Sequence, residues 1–165
     1  MNMRTIGKWV GVLAIVAGNV MTAKGDVLLG WDVLGLSGTP SAITTTVKHV
    51  SLQDGVLTRG PGLGAASGSD GFSANSWTLP SSSTINEAVT SNDYFTFTAT
   101  AQSGQTFDAT NFSWRATRSG TGPSNFVLRS SVDSFAADLA VFGTTGTAER
   151  AFTTALNLTA QTNVE

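Results

Sequence analysis

Cysteine is absent, so an exported form of this chain would carry no disulfide staples. Histidine occurs once, at His49; with one imidazole and no thiolate, zinc and copper sites of ordinary composition cannot be built. Charged residues are only 12% of the 165 and aromatic residues 8%, which excludes a charge-laced coiled coil and a basic nucleic-acid binder. No apolar run reaches the roughly 20 residues that a stable membrane-spanning helix needs. No Gly-x-Ser-x-Gly elbow is present either, so the best-marked serine nucleophile is missing.

What is abundant is threonine, serine and glycine, at 24, 18 and 18 residues. These starve helices: threonine is stiff at χ1, serine competes for backbone hydrogen bonds, and glycine loses entropy. They suit strands and turns. The length fits one domain.

Residues 1–25 read as a secretory signal peptide. Arg4 and Lys8 supply a positive start, Trp9 to Gly18 an uncharged apolar run, and Ala23-Lys24-Gly25 a small-residue cleavage site. An uncleaved N-terminal anchor is the alternative. Cleavage near Gly25 removes Arg4, Lys8 and Lys24, leaving six basic and eleven acidic side chains, net −5. Coulomb repulsion then disfavours nucleic acid and anionic membrane as partners. Residues 26–165 remain as one folded domain, long enough for a real core.

Along that domain, short strand signals alternate with turn residues. Val27 to Leu36 reads as a buried first strand, Ile43 to Val50 as a second, Val56 and Leu57 as the start of a third. Pro61 to Asp70 is rich in Gly, Ala and Ser and reads as an exposed loop; Phe72 to Leu79 returns to strand, and Pro80 to Thr84 to loop. Tyr94 to Ala101 has the clearest period of two, with Phe95, Phe97, Ala99 and Ala101 on one face. Phe112, Trp114 and Ala116 share a face in the next segment, and Phe126, Leu128 and Ser130 in the one after the turn Ser119 to Ser124. Pairing these two as a hairpin sets Ala116 opposite Phe126, Trp114 opposite Leu128 and Phe112 opposite Ser130. Phe135, Ala137, Leu139 and Val141 suggest a further strand, and Phe152, Leu156 and Leu158 a last one that leaves an open edge. The expected fold is all-β: an antiparallel β-sandwich of eight or nine short strands.

The run RSGTGPSNFVLRSSVDSFAADL (Arg118 to Leu139), preceded by FSWRA and the DYFTFTATA strand, resembles exported bacterial β-sandwich proteins of the PEP-CTERM, exosortase-sorted type. GDVLLGWDVLGLSG and DGFSANSWT are similar to that family's N-terminal half. The resemblance implies a secreted or surface-displayed jelly-roll-like domain and brings no catalytic residues. The family's Pro-Glu-Pro tail is not present at Gln161 to Glu165, so the expectation is a chain lacking the sorting tail and the sandwich's last strands.

The residues able to carry chemistry are few. His49 lies in a Thr-rich stretch beside Lys48 and reads as an exposed strand residue rather than a base. Asp32, Asp54, Glu87, Asp93, Asp133 and Asp138 could furnish a glycosidase pair, which spacing alone cannot assign. The loops at Asp70, Asn92-Asp93 and Asp133 lack the alternating acids of an EF-hand; capping of their own backbone explains them as well as a structural calcium does. Gly60 to Gly71 lacks the Gly-Lys-Ser/Thr ending of a phosphate loop, and the Asn111 and Asn157 sequons read as strand and turn residues. Arg115, Arg118 and Arg129 could hold an acidic glycan, but read better as clasps onto Asp133, Asp138 or loop carbonyls. Trp31 and Trp114 look like core; Trp77 is the one candidate outward ring for a sugar.

The expectation is therefore a secreted or cell-surface, non-catalytic, matrix-associated protein with no cofactor. A carbohydrate-binding module for extracellular polysaccharide is the second reading, and a glycan-acting hydrolase the third. Outward coplanar aromatics would favour the second, a cleft with two facing carboxylates the third.

Overall fold

The computed structural model describes the backbone of residues 10–14 and, with side chains, residues 26–77, 85–120, 122–143 and 147–165. The chain is all-β, with short strands and very little helix. Its largest sheet has five strands in the order Arg150–Gln161, Phe107–Ala116, Val10–Ala14, Val27–Trp31 and Val47–Lys48, each antiparallel to its neighbours. A three-stranded sheet joins Phe95–Thr96, Val56–Arg59 and Ala42–Thr44. Four two-stranded pairs complete the described set; one of them, Ser37–Gly38 with Gly71–Phe72, is parallel, which departs from the wholly antiparallel expectation.

The backbone of the five-stranded sheet is Phe107–Ala116. Its burial alternates as its sequence does: Phe107, Ala109, Phe112, Trp114 and Ala116 point into the core. Its partner Arg150–Gln161 is set so that Trp114 lies opposite Phe152, and the two rings stack with centroids 4.9 Å apart. As expected, Phe152, Leu156 and Leu158 pack against the core, and this strand lies at the sheet's edge. Leu28, Leu29 and Trp31 complete the buried floor from Val27–Trp31.

Val10–Ala14 belongs to the apolar run read as an export leader. In the structure it occupies the centre of the sheet, with Gly11 opposite both Trp114 and Trp31. In the full chain this part of the run is thus a strand, and cleavage near Gly25 would leave Phe107–Ala116 and Val27–Trp31 without it.

Several local expectations are corrected. The Phe112–Ser130 hairpin does not form: Phe107–Ala116 pairs with Val10–Ala14 and Arg150–Gln161, while Asn125–Leu128 pairs with Ala140–Gly143. Trp114 still meets that second hairpin, but across the core, with the Phe126 ring 5.3 Å away and nearly perpendicular. No strand runs through Phe135 to Leu139. Ser134 and Phe135 adopt left-handed φ of 59° and 60°, and Asp133 accepts the amides of Ala136 and Ala137, so the chain turns there. The strand begins at Ala140, and Phe142, not Val141, is the buried residue. The first strand ends at Trp31, because Asp32 folds back onto the Leu34 amide and Gly35 takes a positive φ. The Ile43–Val50 segment divides into two strands in different sheets. The Pro61–Asp70 stretch is not an exposed loop throughout: Gly64–Ala65 pairs with Ala74–Asn75, and Leu63 and Ala66 are buried. The Pro80–Thr84 loop and the end of the Phe72–Leu79 segment lie outside the described residues.

One short helix, Ile85–Thr90, was not foreseen. Its end is set by Asn92 in the left-handed region, with the amides of Ser91, Asn92 and Asp93 returning to the carbonyls of Glu87, Val89 and Ala88. The turn at Gly60–Gly62 then packs against this end: the Gly62 amide donates to the Asn92 carbonyl.

Candidate ligand cavity

The elements meet around an apolar space of about 1130 Å³. It is lined by the core face of Phe107–Ala116, by Phe95 and Phe97, by Phe126, Leu128 and Phe142, and by Ile85, Ala88 and Val89 of the helix Ile85–Thr90. Rings touch rings along these walls. Phe97 stacks on Phe112 at 5.7 Å, and Trp114 meets Phe142 edge-on at 5.2 Å. The space is open to solvent, so it needs no ligand to exist, and its apolar walls suit an apolar occupant.

Trp77 belongs to this wall. It was the one ring expected to face outward, but it lies half-buried, edge-on to Phe95 at 5.5 Å and to Phe126 at 6.3 Å, and its indole nitrogen donates to the Ala74 carbonyl. Trp31 and Trp114 are core residues, as read.

The polar groups at the cavity are mostly engaged. Arg129 Nε donates to Asp138 Oδ1 at 2.7 Å, and its Nη1 reaches the Phe135 carbonyl at 3.2 Å and Asn86 Oδ1 at 3.4 Å. Glu165 accepts from Thr96 Oγ1 at 2.7 Å, and its amide donates to Ser131 Oγ at 2.9 Å. Ser130 is different. It is 3% exposed, it lines the cavity, and its hydroxyl has no hydrogen-bond partner among the described residues. A buried, unsatisfied hydroxyl costs about 1–3 kcal/mol, and this oxygen is closed off from the cavity rather than aimed into it.

The remaining candidates lie elsewhere and are used by the fold. His49 sits just after the Val47–Lys48 strand, half-buried rather than exposed, with Nδ1 2.7 Å from Ser51 Oγ in a local turn. Asp54 pairs with Lys48 at 3.0 Å; that hydrogen bond, with Lys48's charge and the Thr45 hydroxyl, holds its carboxyl below the usual aspartate range. Asp70 accepts the Gly35 amide. Arg115 forms an exposed pair with Glu149 at 3.3 Å, and Arg118 donates to the Gly122 carbonyl. The three arginines thus act at separate places as clasps. Asn111 and Asn157 lie in paired strands. Among the described residues, no three His, Asp or Glu side chains converge as a metal site requires.

Sequence reasoning missed Arg59. It ends the Val56–Arg59 strand and donates to three backbone carbonyls, those of Ser73, Pro40 and Gly38, at 2.8, 2.6 and 2.6 Å. Its guanidinium carbon lies 3.8 Å from the centre of the Phe72 ring, and burial lowers its pKa. Among the described residues no helix is long and apolar enough to cross a membrane. No family model, curated protein or solved structure matches this chain.

Proposed function

We propose that this chain is an exported, non-catalytic β-sandwich protein of the cell surface or surrounding matrix, and that it holds a small apolar molecule rather than transforming one. The observation that carries the reading is the make-up of the cavity: rings form its walls, and Arg129, Asp138 and Glu165 at its polar positions are already committed to structural bonds. General acid–base or nucleophilic chemistry needs a titratable group aimed at a reacting atom. The one histidine is far along the chain from the wall residues and is held in its own turn. The leader-like Arg4 to Gly25 segment and the resemblance of Arg118 to Leu139 to exosortase-sorted proteins support export.

The carbohydrate reading has less support, since Trp31 and Trp114 are buried and Trp77 is half-buried against Phe95 and Phe126. On the matrix reading, extracellular polysaccharide is a neighbour of the protein rather than a ring-stacked ligand.

Two measurements test this. Fractionation of expressing cells should place the chain outside the inner membrane, and the full chain should bind the neutral dye 1-aminoanthracene saturably without hydrolysing chromogenic glycosides or esters. Retention in the cytoplasm, or turnover that Asp138→Asn abolishes, would overturn it.

A further inference from the structure

Resting on the export reading, we propose that cleavage near Gly25 opens a slot one strand wide in the five-stranded sheet, and that an extended, uncharged apolar segment of another polypeptide fills it, presenting a small residue between Trp31 and Trp114. Three observations lead there.

The slot lies between two strands that cannot bond each other directly. Val10–Ala14 is antiparallel to both Val27–Trp31 and Phe107–Ala116. Without it, those two strands run parallel to each other across a gap of about 9–10 Å, twice the usual strand spacing. The facing edge of each then carries amides and carbonyls that have lost their ladder. Each strand keeps its outer neighbour: Leu29 and Gly30 pair with Lys48 and Val47, and Phe107–Ala116 pairs with Arg150–Gln161.

Aromatic contacts hold the two sides where they are. Trp31 and Trp114 are both buried, and both stand opposite Gly11 in the register. Trp31 packs on Phe97 with centroids 4.9 Å apart, Phe97 stacks on Phe112 at 5.7 Å, and Trp114 stacks on Phe152 at 4.9 Å. Closing the strands onto each other would move one of them by about 5 Å and force the two indoles side by side, disrupting these contacts. A strand supplied from outside leaves them intact.

The segment seated in the slot defines what fits it. It reads Val-Gly-Val-Leu-Ala, without charge or proline, and its glycine falls at the position flanked by both tryptophans. Directly opposed residues of antiparallel strands share a face, so a bulky residue there would meet both indoles at once. The occupant therefore runs antiparallel to Val27–Trp31 and carries glycine or alanine at that position. Main-chain bonds on two edges supply its affinity, and the small residue sets its register. Within residues 26–165 the comparable apolar segments, Val27–Trp31 and Ala140–Gly143, are already paired, which points to a different polypeptide rather than a second copy.

The test uses the full chain with a site-specific protease sequence inserted after Met21, cut in the folded state, and a fluorescein-labelled peptide Lys-Trp-Val-Gly-Val-Leu-Ala-Ile matching residues 8–15. The peptide should replace the leader fragment, seen as a saturable rise in anisotropy, and should restore a Tm that falls by about 10 °C when the fragment is removed. The peptide carrying Gly11→Leu should bind about tenfold more weakly. A nicked chain that takes up no peptide would overturn the proposal. A dimer that excess peptide cannot dissociate would overturn it in favour of a second copy, and equal binding of the leucine peptide would remove the requirement for a small residue. N-terminal sequencing of the chain recovered outside the inner membrane tests the export reading separately: a chain still beginning at Met1 refutes cleavage, whatever the peptide does in the nicked chain.

Discussion

Replacing Arg59 with alanine should be among the most damaging single changes in this protein, although among the described residues no acidic partner holds it. The guanidinium ties three segments together: the Ser37–Gly38 strand and Pro40 after it, the Gly71–Phe72 strand and Ser73 after it, and its own strand. It does so with three charge-assisted bonds and by lying on the Phe72 ring. Each bond from a charged donor is worth about 1.5–3 kcal/mol, and the ring contact about 0.5–2 kcal/mol. Desolvation of the guanidinium opposes these, as its lowered pKa records, and bonds made by one side chain are not additive. A net loss of about 3–4 kcal/mol follows because the three bonds and the ring contact go together, while the buried carbonyls of Gly38 and Ser73 keep the Ser73 and Ala66 amides as donors. For a chain of this length that is a fall of roughly 6–15 °C in Tm. Arg59→Lys should recover less than half, because an ammonium is a point donor and cannot span three carbonyls fixed in a fork. Urea unfolding of wild type, Arg59→Ala and Arg59→Lys measures this, with the midpoint moving at constant slope. An alanine variant that loses under about 1 kcal/mol, or a lysine variant that matches wild type, would refute the clasp.

Further outcomes follow from the same geometry. Gly38→Ala should cost about 3 kcal/mol and Gly35→Ala about 1 kcal/mol, since both need positive φ but only at Gly38 would the new Cβ meet backbone, 2.7 Å from the Ala66 carbonyl oxygen; equal losses in thermal melts would count against it. The lowered pKa of Asp54 means that its pair with Lys48 stabilises the fold above the unfolded carboxyl pKa, and that this contribution is lost as pH falls through the folded value. Asp54→Asn should therefore lower stability slightly above about pH 6, where the pair is formed, and flatten the acid-side loss; an acid melt of unchanged shape would contradict it. Deleting residues 1–25 takes Val10–Ala14 from between two strands, exposing their ladder groups at a cost on the order of 5 kcal/mol. Residues 26–165 should then melt lower and associate through the opened edges; a monomer on size-exclusion chromatography with the full chain's Tm would disprove this.

The parts of the fold legible in the sequence are those a single strand can announce by itself. Phe112, Trp114 and Ala116 alternate because one face of their strand is buried, and that pattern needs no knowledge of the partner. Phe152, Leu156 and Leu158 are legible for the same reason. Register is not, because it belongs to two strands at once. Asn125–Leu128 follows the long strand in sequence but pairs with Ala140–Gly143, and nothing in its own alternation names that partner. The period of two from Phe135 to Val141 misled because Asp133 holds the amides of Ala136 and Ala137, a side-chain bond that outcompetes the ladder. The cavity was illegible altogether: Trp77, Phe97, Phe112 and Phe126 come from four segments and meet only once the sheets are assembled. Arg59 left no trace because its partners are carbonyls, which every residue carries.

That last point bears on how a chain without cysteine holds its loops. Six cations lie in residues 26–165, and three of them, Arg59, Arg118 and Arg129, hold backbone carbonyls. The bonds of Arg59 join residues 14 to 21 apart in sequence, a span that a disulfide also closes in small exported domains. The physics differs. A disulfide acts chiefly by restricting the unfolded chain and persists there. A guanidinium clasp exists only in the folded state, and unfolding returns the arginine to water at little cost. Such clasps therefore add stability without slowing the search for the fold through wrong pairings, and reductants cannot remove them. Their weakness is that all three bonds of one arginine fail together, so a single substitution can release a whole corner of the molecule. The Gly- and Ser-rich turns here, too small to pack a core of their own, depend on that corner staying tied.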